Sequence, residues 1–402
     1  MPNAAAVCLV LAGAAVALPS QSTHLVGPGG LPQIRDALAI AAAGDTILVQ
    51  PGTYAHFAAT VGVQIRAATP GTVLVRWDQA FVPGCSGNPF CVLTEGATQL
   101  MPPVGQTLTL VGLTFPPTAT TVFGGQVRNR LEVLGGRVVL DGCIVESVAP
   151  HALAVANATV HLLGGECRAI PPTLVPFGTT VALRGSNSSI TAVGTRFVGS
   201  SSYLTSSGAA GEAILLSGCT LTATAIDAEG GRILLGGTSA SAVRADGGVV
   251  RLSDSVVLSG GTDACALVGS ANFGVARCSF GAAGPNCQTP PSAALLGLAP
   301  PSTPTPGQSY ALQWNCDPNA LVGVLWSLEL ATRPLPIFSQ PWWAPANSPT
   351  AGLFVADAQG RARGAWLLPN TPTLVGVSIW FHSFSGTNLP LSAAPPVGGV
   401  IR

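Results

Sequence analysis

The 402-residue chain contains no lysine and is only 8% charged, with 17 arginines against 17 acidic residues and a formal net charge of zero. Binding to the phosphate backbone of nucleic acids needs clustered cations, so this composition excludes a nucleic-acid-binding protein. No segment after the N-terminal region approaches the length of about eighteen consecutive apolar residues that a transmembrane helix needs. With so few charges, the surface must consist largely of serine, threonine, glycine, alanine and asparagine.

The N-terminal apolar segment, residues 4–18, ends at Pro19 and is too short to span a bilayer as a mature helix. Ala15-Val16-Ala17 offers a small-x-small cleavage motif, so residues 1–17 are interpreted as a signal peptide, although no arginine or lysine precedes the segment. The mature protein is therefore expected to be secreted, extracellular or attached to the cell surface, without a membrane span.

The ten cysteines suit an exported protein only in part. Removal of Cys8 with the signal peptide leaves nine, so at least one thiol must stay unpaired. Cys85 and Cys91 bracket the turn-rich sequence SGNPF, which predicts a local disulfide between them. Cys278 with Cys287 is the next predicted pair.

Residues 44–77 contain three short runs in which every second residue is apolar, separated by turns at Pro51-Gly52 and Pro70-Gly71. This is the period of a strand with one buried face. The inward positions are Ile47 and Val49, then Val61, Val63 and Ile65, then Val73, Val75 and Trp77. Three strands joined by tight turns make one coil, which cannot cover its own apolar face and must therefore stack on further coils.

The pattern recurs as far as residue 280. The predicted first strands begin 22, 28, 23, 22 and 17 residues apart, at Leu131, Leu153, Val181, Leu204, Ile226 and Val243. This spacing is typical of a β-solenoid, is too short for a propeller blade, and leaves no helical stripe between the strands. Residues 31–43 form an amphipathic pattern that predicts one helix, which would cap the open end of the first coil.

Two features resemble the right-handed parallel β-helix proteins of the pectate-lyase-like superfamily. They are the opening segment GDTILVQPGTY with its preceding helix, and the VxLxxCxV coils that follow. The resemblance covers roughly residues 31–284. The resemblance implies an all-β fold, with a right-handed parallel β-helix over residues 18–284 capped by a short N-terminal helix. That fold hosts lyases, hydrolases, adhesins and proteins without known activity, so it does not assign a function.

The C-terminal part of the chain differs in composition. Residues 285–307 are rich in proline, serine and threonine and predict a linker. Residues 308–402 contain six of the seven tryptophans and strand-like runs that predict a small antiparallel β-sandwich. Their end, PNTPTLVGVSIWFHSF followed by LPLS, resembles a C-terminal module of secreted bacterial proteins, with His382 where a glutamine is expected.

Trp342 and Trp343 form the sharpest motif of this region, because they are adjacent in a proline-rich segment. One interpretation exposes at least one indole for stacking on a sugar ring. The other, which we favour, wedges both rings between the sandwich and the solenoid, since small sandwiches need large aromatic side chains to fill them.

Four charged residues are candidates for chemistry. The aligned repeats place Arg244 beside Asp227, and Asp246 beside Glu229, on strands ~4.8 Å apart. Polysaccharide lyases of the resembled fold use carboxylates that hold Ca²⁺ together with an arginine or lysine base, and a carboxylate pair would also serve a glycosidase. We favour the alternative of solvated ion pairs between rungs, because a sugar-cleaving cleft needs dense carboxylates and aromatics.

The remaining polar candidates are interpreted as structural. Cys143 and Cys167 fall on successive coils and are expected to be core thiols, since no histidine lies near them with the spacing of a metal site. His161 is expected on the solvated outer face. No metal and no cofactor is predicted, and Ca²⁺ would bind only if the protein were a lyase.

The sequence therefore favours a secreted or cell-surface β-helix protein that is monomeric and non-catalytic. Its expected role is structural or involves contact with polysaccharide or cell-envelope material. The alternative is a polysaccharide lyase or glycoside hydrolase that acts on acidic polysaccharides.

Overall fold

The computed structural model describes the following residues: 21–76, 97–117, 120–122, 125–127, 130–148, 150–170, 180–201, 210–233, 239–281, 287, 290–299, 302–330, 335–338, 342–387 and 389–402. The predicted signal peptide and the predicted Cys85–Cys91 disulfide lie outside them. Within the described residues, strands dominate and one α-helix is present. That helix, α1 (Ile34–Leu38), is far too short to cross a membrane, and no other described helix could do so.

Three parallel faces form the solenoid, and each rung contributes strands to faces 1, 2 and 3 in turn. Face 1 consists of β4 (Ala58–Ala59), β7 (Ala97–Leu100), β12 (Arg130–Val133), β15 (His151–Ala156), β18 (Val181–Ser186) and β25 (Leu267–Val268). Face 2 consists of β1 (Thr23–Val26), β2 (Thr46–Val49), β5 (Gln64–Ala67), β8 (Thr107–Val111), β13 (Arg137–Asp141), β16 (Thr159–Leu163), β19 (Ser189–Val193) and β26 (Asn272–Ala276). Face 3 consists of β3 (Gly52–Tyr54), β6 (Val73–Val75), β9 (Leu113–Phe115), β14 (Ile144–Ser147), β17 (Glu166–Ala169), β20 (Arg196–Val198), β22 (Asp227–Glu229), β24 (Val256–Leu258) and β27 (Ser279–Phe280).

Three further features complete the solenoid. The long strands β21 (Ile214–Thr224) and β23 (Val243–Ser253) each run through faces 1 and 2. A hairpin of β10 (Thr120–Val122) and β11 (Gly125–Val127) lies between β9 and β12 in the chain. The longest connections run from face 3 to face 1, such as the one between β6, which ends at Val75, and β7, which begins at Ala97.

Parallel pairing stacks the inward side chains into continuous columns. On face 1 the column runs through Leu131, Leu153, Leu183, Ile214, Val243 and Leu267, which gives rungs of 22, 30, 31, 29 and 24 residues. On face 3 it runs through Phe115, Val145, Cys167, Phe197, Ala228, Val257 and Phe280. These columns belong to one core, so the expected all-β parallel β-helix is confirmed.

The alignment of repeats made from the sequence is correct for Leu131, Leu153, Val181 and Val243, which lie on face 1, but it is wrong for the rung before Val243. The predicted strand start at Leu204 lies outside the described residues. Ile226 and Ala228 were predicted on the first strand of a rung. Instead, Ile226 directly precedes β22 of face 3, and Ala228 lies on β22, where it pairs with Phe197. Ile214 and Leu216, which have the same alternation, are the residues of this rung that lie on face 1. All three faces share the same alternating pattern, so apolar periodicity alone cannot distinguish one face from another when the connecting loops vary in length.

The corner between faces 2 and 3 repeats one conformation. From β8 onward, one residue per rung has a left-handed φ of 49° to 67°, at Gly112, Gly142, Gly164, Gly194, Ala225, Asp254 and Arg277. A small polar side chain often follows and donates to the carbonyl two residues before it, as Ser255 does to Ser253 at 2.7 Å and Cys278 to Ala276 at 3.4 Å. This satisfies a carbonyl inside the bend and explains the column of cysteine, threonine and serine there.

The N-terminal cap buries Ile34 and Ala37 of α1 over the first rung. The helix is shorter than the predicted 31–43. Beyond it, the Asp45 carboxylate accepts hydrogen bonds from the backbone N–H groups of Ser22 and Ala42. These contacts hold residues 39–45 as a loop across the end of the solenoid instead of a further helical turn.

The C-terminal part contains two antiparallel sheets. One consists of β28 (Gly297–Leu298), β29 (Ser309–Asn315) and β32 (Arg361–Leu367). The other consists of β30 (Leu321–Ser327), β31 (Thr350–Val355), β33 (Ser378–Gly386), β34 (Ser392–Ala393) and β35 (Val397–Val400). Trp314, Trp366, Tyr310 and Phe381 are buried between them, which confirms the predicted sandwich. The segment predicted as a linker supplies β28, and its Ser292 bridges to Val275 of the solenoid.

The sandwich lies on the outer side of face 2. Val139, Leu163 and Val193, which point outward from neighbouring strands, share an apolar cluster with Trp343 and Trp380 of the sandwich. The solenoid therefore has two apolar surfaces on face 2, one inside the coil and one beneath the sandwich.

The disulfide predicted between Cys278 and Cys287 is wrong, because Cys287 is bonded to Cys265. Cys278 is a free, partly buried thiol. It follows the corner residue Arg277, so its Sγ points into the bend and contacts the carbonyls of Leu252 and Ala276. Cys265 and Cys287 are 22 residues apart and meet because successive rungs stack.

Candidate functional site

The outer side of face 3 carries a group of charged side chains that we name the ionic ladder. It consists of Glu146, Glu166, Arg168, Arg196, Asp227, Glu229 and Arg232. These are seven of the 34 arginine, aspartate and glutamate residues of the chain (17 + 17), gathered on one narrow surface. In so uncharged a protein, this concentration makes face 3 the leading candidate for a functional surface.

Strand register builds the ladder. Glu146 pairs with Arg168, and Glu166 pairs with Arg196, which in turn pairs with Asp227. The alternating residues Val145, Cys167, Phe197 and Ala228 point inward and are buried. Because alternate residues of a strand project to opposite sides, the apolar core column forces the charged residues into outward columns.

Arg196 lies at the centre of the ladder. Its guanidinium is 3.8 Å from Glu166 Oε1, 3.4 Å from Asp227 Oδ2 and 3.9 Å from Glu229 Oε2. Arg168 contacts Glu166 and lies 3.7 Å from Glu146, and Arg232 lies 3.9 Å from Glu229. Each carboxylate of the ladder therefore has an arginine partner, and most of these contacts are longer than a direct hydrogen bond.

The ladder side chains are between 23% and 61% exposed. Ion pairs with this exposure contribute only about 0–1 kcal/mol each, because water and salt screen them. The fold therefore gains little from the ladder, and its groups remain accessible to a ligand.

Of the predicted catalytic candidates, only Asp227 and Glu229 belong to the ladder. Arg244 and Asp246 lie on β23 at face 1, where they pair in register with Leu215 and Ser217. The predicted contacts of Arg244 with Asp227 and of Asp246 with Glu229 are therefore wrong, since these residues are on different faces. Arg244 instead lies 3.3 Å from Glu212.

The sequence interpretation missed Glu166 and Arg196, although a usable signal was present. Both stand two residues after the left-handed corner glycines Gly164 and Gly194. Asp227 stands at the same offset, but its corner residue is Ala225, so the glycine marker is lost in that rung. Counting from the corner would have placed Glu166 and Arg196 on the outer side of face 3.

Trp342 and Trp343 are only 4% and 2% exposed, so neither indole is free to stack on a sugar ring. Trp342 stacks on Phe338 with ring centroids 4.5 Å apart. Trp343 reaches the solenoid, where its ring lies 5.8 Å from that of His161. Trp343 is therefore wedged between the sandwich and the solenoid, as the favoured interpretation predicted. The alternative, exposure of an indole for stacking on a sugar ring, is wrong for both residues.

His161 was expected to be solvated, and this is also wrong. Its side chain points outward from face 2 but is fully buried by the sandwich, between Trp343 and Trp380. The outer face of a strand looks solvated in a local pattern, and only the docking of a distant part of the chain buries it.

The thiols of Cys143 and Cys167 are buried and unpaired. Burial raises the pKa of Cys143 to about 12 and raises that of Cys167 as well, so both are inert neutral thiols. Cys167 pairs with Val145, two residues beyond Cys143. This diagonal spans ~8 Å, beyond the reach of a disulfide. Among the described residues, no group of three or more histidine, cysteine, aspartate or glutamate side chains could hold a metal ion.

No protein-family model matches the chain, and a comparison with curated proteins found no match. Among solved structures, it is similar to a pectin methylesterase in complex with a hexasaccharide (9% identity, TM-score 0.41, 67% of this chain and 94% of that chain). It is also similar to the A-module of a mannuronan C-5 epimerase from Azotobacter vinelandii (10% identity, TM-score 0.26, 63% and 93%) and to the Dettilon tailspike protein (9%, 0.29, 85% and 88%). These scores are too low to support any inference about function.

Proposed function

We propose that the protein is an exported, non-catalytic β-helix protein that contacts polysaccharide through the ionic ladder on face 3. The observation that carries this proposal is the pairing of every ladder carboxylate with an arginine, on an exposed and regular surface. A general acid, a general base or a metal ligand needs a carboxylate that is available to the reacting group or ion. In the ladder a guanidinium group lies beside every carboxylate, where its positive charge disfavours a metal ion but leaves carboxylate lone pairs for a hydroxyl donor.

The ladder offers both partners that a sugar hydroxyl needs. Guanidinium N–H groups donate hydrogen bonds to hydroxyl oxygens, and carboxylates accept hydrogen bonds from hydroxyl groups. These groups recur at the ~4.8 Å spacing of adjacent strands, which suits a polymer with a repeating unit better than a single small molecule. Four carboxylates against three arginines leave no excess of positive charge, so the ladder favours a hydroxyl-rich polysaccharide over a strong polyanion.

The test is the affinity of Arg196→Ala for immobilised polysaccharides, measured beside the unchanged protein. Removal of the central guanidinium should weaken binding at least about tenfold, since it deletes charge-assisted donors shared by three ladder rungs. Arg196→Lys keeps the charge but loses the planar fork, so it should restore only part of the affinity. Arg361→Ala, which removes an exposed ion pair with Asp357 in the sandwich, is the matched control and should bind normally.

Equal binding by Arg196→Ala and the unchanged protein would rule out the ladder as the contact surface. The same polysaccharides should remain intact after incubation with the protein. Unsaturated products or new reducing ends would instead establish the lyase or hydrolase alternative. In that event Asp227→Asn and Glu229→Gln would identify whether the ladder carries the activity.

A further inference from the structure

Two imidazoles are buried where the sandwich meets the solenoid. His161 on β16 is 0% exposed and His382 on β33 is 1% exposed. The His161 ring lies 5.5 Å from that of Trp380. Trp380 and His382 are two residues apart on β33 and therefore project from the same side of that strand. The two histidines thus approach the same interface from opposite partners.

Each imidazole has one hydrogen-bond partner and one ring nitrogen without a partner. His161 Nδ1 is 2.7 Å from Thr191 Oγ1, and His382 Nε2 is 2.7 Å from Ser327 Oγ. Among the described residues, neither His161 Nε2 nor His382 Nδ1 has a hydrogen-bond partner. A neutral imidazole tolerates this arrangement, but an imidazolium would carry a buried N–H donor and a buried charge with no carboxylate in contact to balance it.

We propose that acidification releases the C-terminal sandwich from the outer side of face 2, with protonation of His161 and His382 as the trigger, while the solenoid and the sandwich each remain folded. The inward columns of the solenoid form a core of their own, separate from the cluster around Trp314 and Trp366. That second cluster extends across the interface to Val139, Leu163 and Val193. Release therefore exposes the interface part of this cluster, while Trp314 and Trp366 stay buried between the two sheets of the sandwich.

The charged groups of the interface do not compensate the histidines. Asp141 is held by Arg402 at 3.0 Å, with Arg66 close to Arg402, and Arg137 lies near Glu329 and donates to the carbonyl of Leu330. No described carboxylate contacts either imidazole. The Pro396 carbonyl lies near His161 and favours its charged form, but burial has the larger, opposite effect.

Burial lowers the pKa of His161 to about 3, and burial together with the neighbouring His161 lowers the pKa of His382 to about 3. An exposed histidine titrates near pH 6.5, so the released state binds more protons than the docked state between these values. Docking is therefore fully favourable above about pH 6.5 and weakens as the pH falls toward 3. Two protons taken up on release weaken the docking equilibrium by up to about 100-fold per pH unit.

Amide hydrogen exchange of Leu298 measures this equilibrium in the full-length protein. The Leu298 N–H donates to Thr224 Oγ1 of the solenoid at 3.0 Å, so its protection is lost when the parts separate. The measured rates are first corrected for the intrinsic pH dependence of exchange. As the pH is lowered, the logarithm of the protection factor should then decrease more steeply in the unchanged protein than in the histidine variants. The expected difference in slope is about 2 relative to His161→Gln/His382→Gln and about 1 relative to each single variant. Other titrating groups, including Asp141, are present in both the unchanged protein and the variants. The difference between the two slopes therefore reports the histidines alone.

Two further measurements distinguish release from unfolding. The radius of gyration in solution scattering should increase on acidification while the far-ultraviolet circular dichroism stays unchanged. His56→Gln is the matched control, because His56 is a partly buried histidine on Thr98 of face 1 and burial lowers its pKa to about 4. It should leave the Leu298 slope unchanged. His161→Phe, which keeps an aromatic ring between the tryptophans, provides a second variant for the slope measurement.

Equal slopes in the unchanged protein and the double variant would overturn the proposal. It would also be overturned if strand circular dichroism were lost together with Leu298 protection, or if His56→Gln reduced the slope as much as the interface variants do.

Discussion

Replacement of Arg402 by alanine should lower the free energy of unfolding by about 3–5 kcal/mol at pH 8, because it leaves a buried carboxylate without its cationic partner. Asp141 is 8% exposed and lies at the end of β13, where Arg402 Nη2 is 3.0 Å from its Oδ1. The backbone N–H of Val400 donates to the other carboxylate oxygen at 3.3 Å. Arg402 therefore supplies the cation that balances Asp141 beneath the sandwich.

The loss should depend on pH. Burial raises the pKa of Asp141, and Arg402 and the Val400 N–H oppose this in part, so the alanine variant should raise the pKa further. A carboxyl group with a raised folded-state pKa is tolerated when it is protonated and becomes destabilising as the pH rises through that pKa. The stability difference between variant and parent should therefore be largest at pH 8 and shrink toward pH 4.

Urea unfolding followed by tryptophan fluorescence measures this loss, since six of the seven tryptophans lie in residues 308–402. Asp141→Asn combined with Arg402→Ala should recover much of the stability and remove the pH dependence. Arg361→Ala in the exposed pair with Asp357 should leave the stability unchanged. A loss in Arg402→Ala that is small, or that does not vary with pH, would contradict the assignment of Asp141 as a buried ion.

The strands of the solenoid could be predicted because the information that specifies them is local. Alternation of apolar residues identifies a strand and its buried side, as at Leu131 and Leu153, which pair in adjacent rungs. It does not identify the face, since Ala228 on face 3 and Ala245 on face 1 have the same local pattern. Rungs of 22 to 31 residues then allow several alignments, and the one chosen from the sequence placed Asp227 beside Arg244 instead of Arg196.

Features that depend on distant contacts could not be predicted in this way. His161 and Val139 look solvent-facing in a strand pattern and are buried only because the sandwich covers them. The Cys265–Cys287 bond likewise joins residues that lie in different rungs, whereas the sequence interpretation chose the nearer cysteine. The ionic ladder belongs to this class in part: the corner glycines mark Glu166 and Arg196, but the seven members meet only when four rungs are stacked in the correct register.

A close contact between rungs leads to the second large effect. Gly165 has φ +73°, and a Cβ placed there would lie 2.1 Å from the carbonyl oxygen of Cys143 in the rung below. That carbonyl accepts the backbone N–H of Glu166 at 3.0 Å, so the clash falls on a hydrogen bond between rungs. Gly165→Ala should therefore lower the free energy of unfolding by more than about 3 kcal/mol, as left-handed strain and a displaced hydrogen bond add together.

Gly164→Ala is the matched control, one residue away. Gly164 also has a left-handed backbone, with φ +60°, but a Cβ there would meet nothing within 4 Å. Its replacement should cost only the conformational strain of about 1–2 kcal/mol. The same contrast should hold at the other corner, where a Cβ on Gly248 would lie 2.0 Å from the carbonyl oxygen of Cys219 and one on Gly247 would lie 3.9 Å from its nearest neighbour. Equal losses in urea unfolding within either pair would show that the backbone conformation, and not the close stacking of rungs, requires glycine at these corners.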